Sequence, residues 1–303
     1  MSNQNQRHRG VIVPMVTPFT ENGSLDEDGA RRVIDFLIDG GVDGVFVLGT
    51  TGEAASIPAP MRARLVEITV DQVRGRSLVY AGIGDNCVSR SLEAGAEYHT
   101  VGVDAVVAHV ASYYPIGPEE IESYFTRLAD QLPGPVILYN IPPTTHHSIP
   151  IDVIGKLCDH PNVAGLKDSE RNEERLRAIT GQFAGRDDFS LQVGVTAHAL
   201  LGLELGAVGF VPSSGNLDPV SCHEAYESMN RGDLESARRA QDKMDAVGKF
   251  CQPGCPLGGS LAIVKAAMSL KGLCGPHMLP PLLTRSAEGI AELRPAMEDL
   301  GIL

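Results

Sequence analysis

Six lysines occur in the 303 residues: Lys156, Lys167, Lys243, Lys249, Lys265 and Lys271. Five stand in helical patterns, where a solvated amine is the ordinary reading. Lys167 alone ends an apolar strand-like run, Val163-Ala164-Gly165-Leu166-Lys167. A charge there costs energy unless it is paired or used. Two readings stay open, an ion pair with Asp168 or a glutamate, and a nucleophile. An amine attacks a ketone only when neutral, and a reference pKa of ~10.4 leaves less than ~0.1% neutral at pH 7. Desolvation that lowers the pKa to ~7–8 multiplies the nucleophile by roughly two orders of magnitude or more.

Three further groups carry potential chemistry. Gly49-Thr50-Thr51-Gly52-Glu53 follows a strand-like run, and glycines around two hydroxyls make a turn whose backbone N–H groups can hold a carboxylate. The alternative is a plain Gly/Thr loop. Tyr139-Asn140-Ile141-Pro142-Pro143 ends another run, where a phenol can shuttle protons or simply cap the core. Tyr113-Tyr114 follows a third run, and adjacent side chains point differently, so at most one faces a site.

Short β-rich runs alternate with helical patterns along the chain. The runs are 11–17, 44–48, 78–83, 105–110, 136–140, 163–167, 190–193 and 208–211. Alternation of this kind implies parallel βαβ units. Near-continuous apolar runs such as Val45-Phe46-Val47-Leu48 suit strands covered on both faces. The helix at 26–39 carries Val33, Ile34, Leu37 and Ile38 at helical spacing and stops at Gly40-Gly41. Pro118-Glu119-Glu120 opens another, with proline in the first turn and acids at the positive end of the dipole. Eight units without a GxGxxG turn predict a closed (β/α)8 TIM barrel rather than an open sheet. Segments 219–230, 233–250, 259–271 and 282–300 read as helices. The expected division is a barrel over 1–220 and a C-terminal helical appendage over 221–303, the first of these helices serving also as the barrel's eighth. Lys167, the Gly49–Glu53 turn, Tyr113-Tyr114 and Tyr139 all follow strands, so they converge on the C-terminal rim where barrel active sites lie.

The formal charge is −13 with no Lys/Arg-rich run, which argues against nucleic acid or an anionic membrane as partner. No apolar stretch reaches spanning length, and the polar N-terminus lacks the h-region of a signal peptide. Cys87, Cys158, Cys222, Cys251, Cys255 and Cys274 form no CxxC or zinc pattern, so reduced structural thiols in a cytoplasmic protein are expected.

At these residues the chain resembles the dihydrodipicolinate synthase / N-acetylneuraminate lyase family over essentially its whole length. The likeness rests on Val16-Thr17-Pro18-Phe19, Gly49–Glu53, Tyr113-Tyr114, Tyr139-Asn140-x-Pro142, Gly165-Leu166-Lys167-Asp168-Ser169 and Gly215-Asn216. It implies a class I mechanism on pyruvate or another 2-oxo acid. Lys167 then forms the Schiff base and Tyr139 relays protons. Thr50 links Tyr139 to a Tyr114 supplied by the neighbouring subunit. Gly49 and Thr51 hold the 2-oxo acid carboxylate, and Val211 offers a backbone carbonyl. The resemblance implies no cofactor, no metal and a homotetramer built as a dimer of dimers.

The chain departs from the family where the second substrate binds. Thr144 stands where the synthases carry an arginine, Thr145-His146-His147 replaces a Thr-Gly, and Val195-Thr196-Ala197 replaces acidic or Tyr-Asp-Glu runs. His146 and His147 read either as a solvated loop or as substrate contacts, with a second acid/base role open. The leading expectation is therefore a Schiff-base lyase, aldolase or dehydratase, acting on a 2-keto-3-deoxy sugar acid. The alternatives are dihydrodipicolinate synthase condensing pyruvate with aspartate semialdehyde, a metal-dependent class II aldolase, and a non-catalytic 2-oxo acid binding protein.

Overall fold

The computed structural model describes residues 8–303, so the polar stretch 1–7 lies outside the described residues. Eight strands form the centre: β1 Gly10–Pro14, β2 Gly44–Val47, β3 Leu78–Gly82, β4 Ala105–Ala108, β5 Val136–Asn140, β6 Val163–Asp168, β7 Ser190–Val193 and β8 Gly209–Phe210. All pair in parallel and in chain order, and β8 closes on β1 through Gly10↔Gly209 and Val11↔Phe210. The expected (β/α)8 barrel is thus the observed fold. All eight strands fall on expected runs. The first is shorter than expected, ending at Pro14 instead of residue 17.

The strands are buried on both faces, which is why they lack a polar alternation. Ile12, Phe46, Tyr80, Ala105, Val107, Ile137, Tyr139, Ala164 and Val211 form one apolar cluster that fills the barrel. Intervening residues such as Val11, Val13, Val45, Val47 and Val106 pack outward under the helices. At the N-terminal ends of the strands the interior turns polar. There the ring Nδ1 of His8 lies 2.9 Å from the Tyr80 hydroxyl, and the Gln192 amide donates to the His8 carbonyl at 3.4 Å.

Two related segments set strand entry. Asp43 accepts from the Val11 N–H at 2.8 Å, and Asp104 accepts from the Val79 N–H at 2.7 Å. Each carboxylate stands just before its own strand and satisfies a backbone donor of an adjacent one, as a buried ladder end requires.

Helix Glu27–Asp39 starts at Asp26, whose side chain accepts from Gly29 N–H, and Gly40-Gly41 follows its end. Helix Pro118–Gln131 begins with Pro118 and has the Glu120 carboxylate accepting from Gly117 N–H. Beyond β8, helices Pro219–Asn230, Leu234–Cys251 and Leu257–Leu270 match the helical readings. The last expected helix, 282–300, is corrected to two short ones, Ala287–Ala291 and Arg294–Asp299. Pro295 lacks the N–H a continuous helix needs and sits in the first turn of the second piece. All six cysteines are free. Among the described residues no helix is long and apolar enough to cross a membrane, and no group of three metal-ligating side chains is gathered.

Candidate active site

Tyr139 on β5 and Lys167 on β6 are direct register partners, and Lys167 is the register partner of Gln192 on β7. Paired residues of neighbouring parallel strands face the same side, so strand geometry alone brings the phenol to the amine. The Lys167 Nζ lies 4.0 Å from the Tyr139 ring centroid and 5.0 Å from that of Phe46. Among the described residues Lys167 forms no ion pair. Asp168 faces away and pairs with Arg175 at 2.9 Å, with the Asn140 amide donating to it at 3.0 Å. The ion-pair reading of Lys167 is thereby overturned by the alternation of the strand. Burial pushes the Lys167 amine below its ordinary range, while the neighbouring phenol works the other way.

The Thr50 hydroxyl lies 3.4 Å from the Tyr139 hydroxyl. Thr50 belongs to a turn whose internal bonds use the N–H groups of Gly52, Glu53 and Ala54, leaving those of Thr50 and Thr51 outside that set. Leu48 enters the turn with φ 59 and Glu53 leaves it with φ 58, both in the left-handed region. Such backbone persists only where surroundings enforce it. Gly82 is part of that enforcement, because a Cβ there would stand 1.9 Å from the Leu48 carbonyl oxygen.

The other motifs hold this turn. Thr17 donates to the Gly52 carbonyl at 2.7 Å. Asn216 accepts from Val16 N–H at 3.0 Å and donates to Pro14 and Ser213 carbonyls, tying the end of β1 to the segment after β8. Glu53 forms a fully buried ion pair with Lys265 of helix Leu257–Leu270 and accepts from Leu279 N–H at 3.2 Å. Lys265 also donates to the His277 carbonyl at 2.9 Å and sits over the Phe19 ring. The expectation of a solvated Lys265 is therefore wrong. Its partner stands 212 positions away, which no local helical pattern reveals.

The structure thus gathers Lys167, Tyr139, Thr50 and the Gly49-Thr51 segment, with Val211 in the same interior cluster as Tyr139 and Phe46. Within one chain Tyr114 stands apart. It is 68% exposed and meets the ring of Tyr113, itself 77% exposed, edge-on at 5.0 Å. Thr144 is half-buried in the short helix Pro142–Thr145, and Val195 is half-buried after β7. His146 is exposed with φ 62, and the His147 ring donates from Nε2 to the Tyr114 carbonyl at 3.0 Å. Sequence reasoning passed over Phe46 and His109. The His109 ring packs edge-on against Tyr139 at 6.4 Å, as does Phe46. The signal available was strand parity, since His109 continues the inward series Ala105, Val107 just past β4.

An amine kept from water and from carboxylates is set up to attack a carbonyl, and a phenol within reach can carry the protons that attack displaces. On an eight-fold barrel this pairing defines a lyase of the class I, lysine-imine type. Comparison with known proteins gives the family. Residues 7–300 match the dihydrodipicolinate synthetase family, and the chain belongs to it. A 4-hydroxy-tetrahydrodipicolinate synthase of Phenylobacterium zucineum is 31% identical, over 97% of this chain and 98% of that one. A probable 2-dehydro-3-deoxy-D-pentonate aldolase of Escherichia coli K12 is 29% identical over 98% and 99%. Among solved structures, a prophage protein of E. coli K12 belonging to the dihydrodipicolinic acid synthase family, in complex with pyruvate, superposes with TM-score 0.92. It is 28% identical, over 98% of this chain and 99% of that one.

Proposed function

We propose that the protein is a Schiff-base lyase that cleaves or forms the C3–C4 bond of a 2-keto-3-deoxy sugar acid, releasing or consuming pyruvate. The observation that carries this reading is the Lys167 amine, buried against the Tyr139 and Phe46 rings with no carboxylate partner among the described residues. In the cleavage direction the neutral amine adds to C2, and Tyr139 protonates the departing hydroxyl as water. A protonated imine and a phenolate remain. The phenolate takes the proton of the C4 hydroxyl as the C3–C4 bond breaks, the electron pair moving into the imine to give an enamine. An aldehyde leaves, Tyr139 returns its proton to C3, and water releases pyruvate and the free amine. Each proton that Tyr139 accepts it gives back at nearly the same place, which a single fixed phenol can do.

In this reading Thr50 orders the Tyr139 hydroxyl. Gly49 and Thr51 present backbone N–H groups and a hydroxyl to the substrate carboxylate, and the Val211 carbonyl faces the reacting carbons. Thr144, His146 and Val195 border the aldehyde half. Tyr114 completes the relay from a neighbouring subunit of a homotetramer, a role favoured by its exposure on this chain. The assembly acts in the cytoplasm without a metal or organic cofactor.

Borohydride with pyruvate tests the reading. A reduced pyruvate adduct at Lys167 in a peptide map is expected, and an unmodified Lys167 under saturating pyruvate rejects it. The names of most curated relatives favour a second reading, condensation of pyruvate with aspartate semialdehyde. That reading gains if the semialdehyde is consumed with pyruvate while 2-keto-3-deoxy acids are left untouched.

A further inference from the structure

The His109 imidazole stands in the barrel mouth beside Tyr139, and neither the proposed relay nor the carboxylate pocket uses it. Its place follows from strand parity: Ala105 and Val107 face the barrel interior, and His109 is the next inward position above them. Its ring centroid lies 6.4 Å from that of Tyr139 at an interplanar angle of 70°. Room for the ring is provided by Gly84, where a Cβ would come within 2.3 Å of the His109 Nε2.

The tautomer follows from the backbone. Nδ1 lies 2.8 Å from the Val110 carbonyl oxygen, which can only accept, so Nδ1 carries the proton. The strand-end backbone is fixed as well, because the Tyr124 hydroxyl donates to the His109 carbonyl at 3.0 Å. Burial lowers the imidazole pKa, so the ring stays neutral at pH 7 and Nε2 keeps its lone pair. Among the described residues no donor is bonded to that Nε2. The ring packed against the proposed acid–base phenol therefore carries a hydrogen-bond acceptor that no protein donor occupies among the described residues.

An acceptor at that place calls for a substrate donor. The rim positions Thr144, Val195 and Thr196 are uncharged, so they supply no cation for a second carboxylate. We propose that His109 is a specificity-determining residue whose Nε2 accepts a hydrogen bond from a hydroxyl on the carbon chain beyond C4 of a 2-keto-3-deoxy sugar acid. The inference rests on the Schiff-base reading above and names the substrate half that reading leaves open. An acceptor that a bound substrate shuts off from water is penalised when it is left unpaired, so the site selects against analogues that lack the hydroxyl.

Two substrates with the same scissile bond separate the possibilities. A 2-keto-3-deoxypentonate has a hydroxyl at C5, and 4-hydroxy-2-oxopentanoate has a methyl there. The wild type and His109→Phe are compared on both by pyruvate release, with borohydride trapping of pyruvate as a parallel measurement. Phenylalanine keeps a ring beside Tyr139 and removes the acceptor. The expected result is a loss of about tenfold in kcat/KM on the pentonate, the worth of one such hydrogen bond, with the methyl analogue and pyruvate trapping unchanged. Equal losses on both substrates, no loss on either, or lost trapping in the variant would each overturn the assignment. A wild type that traps pyruvate but acts only with aspartate semialdehyde also overturns it while leaving the imine intact. A wild type that traps no pyruvate removes the underlying reading instead.

Discussion

Lys167 has aromatic rings for neighbours rather than carboxylates, and this sets how its reactivity depends on pH. The attacking form is the neutral amine. Burial lowers the pKa and so extends that form toward neutral pH, whereas Tyr139 beside it opposes the shift. Imine formation should be flat above the apparent pKa of the amine and fall about tenfold per pH unit below it. In Tyr139→Phe the opposing phenol is gone, so the midpoint should move further down. The maximal rate should meanwhile fall by about two to four orders of magnitude as the acid–base group is lost. Rates of borohydride trapping across pH check both effects, and a midpoint that rises in the variant would contradict the geometry. Lys167 and Tyr139 were legible in the sequence because a polar group at the end of a buried strand is costly and therefore conspicuous. His109 was not, since a single histidine after a short strand carries no local pattern until the parity of β4 is known.

Among the elements, the turn after β2 depends most on distant support. Its left-handed residues, the Gly82 close approach, the Thr17 anchor and the Lys265 partner of Glu53 come from four separate parts of the chain. The motif itself was readable, but its anchoring was not, because Glu53 looked like the end of a loop and Lys265 like a solvated helical lysine. Removing one partner of that buried pair leaves the other charge unpaired, at a cost of about 3–5 kcal/mol. Lys265→Met and Glu53→Gln should each lower the denaturation midpoint strongly, and the double variant should recover much of the loss. Equilibrium denaturation of the three variants decides this. Independent losses that simply add would mean that the ion pair is not the support described here. Since the same turn carries Thr50 and Thr51, each single variant should also raise the KM for pyruvate more than the double variant does.

At the scale of the whole molecule, the expected barrel at 1–220 and helical region at 221–303 meet through that pair, so we propose that they unfold as one cooperative unit. A chain ending at residue 220 should fail to give a cooperative transition by circular dichroism, because it loses both the barrel's eighth helix, Pro219–Asn230, and the Lys265 and Leu279 groups that satisfy Glu53. The barrel topology itself was legible from eight spaced apolar runs, whereas assembly was not, because an exposed aromatic pair reads the same in a loop and in an interface. The proposed dimer makes a sharper demand. If Tyr114 completes the neighbour's site, Lys167→Ala and Tyr114→Ala damage different sites in a mixed dimer. The Tyr114→Ala subunit keeps its own Lys167 and receives an intact Tyr114 from its partner, while the other site has neither. Two variants, each nearly inactive alone, should therefore regain activity when dissociated together and reassembled, to about a quarter of the wild-type level for random pairing of subunits in two-fold dimers. Mixing without dissociation should restore nothing. If reassembled mixtures stay as inactive as their parents while native gels show mixed oligomers, Tyr114 acts within its own chain or not at all.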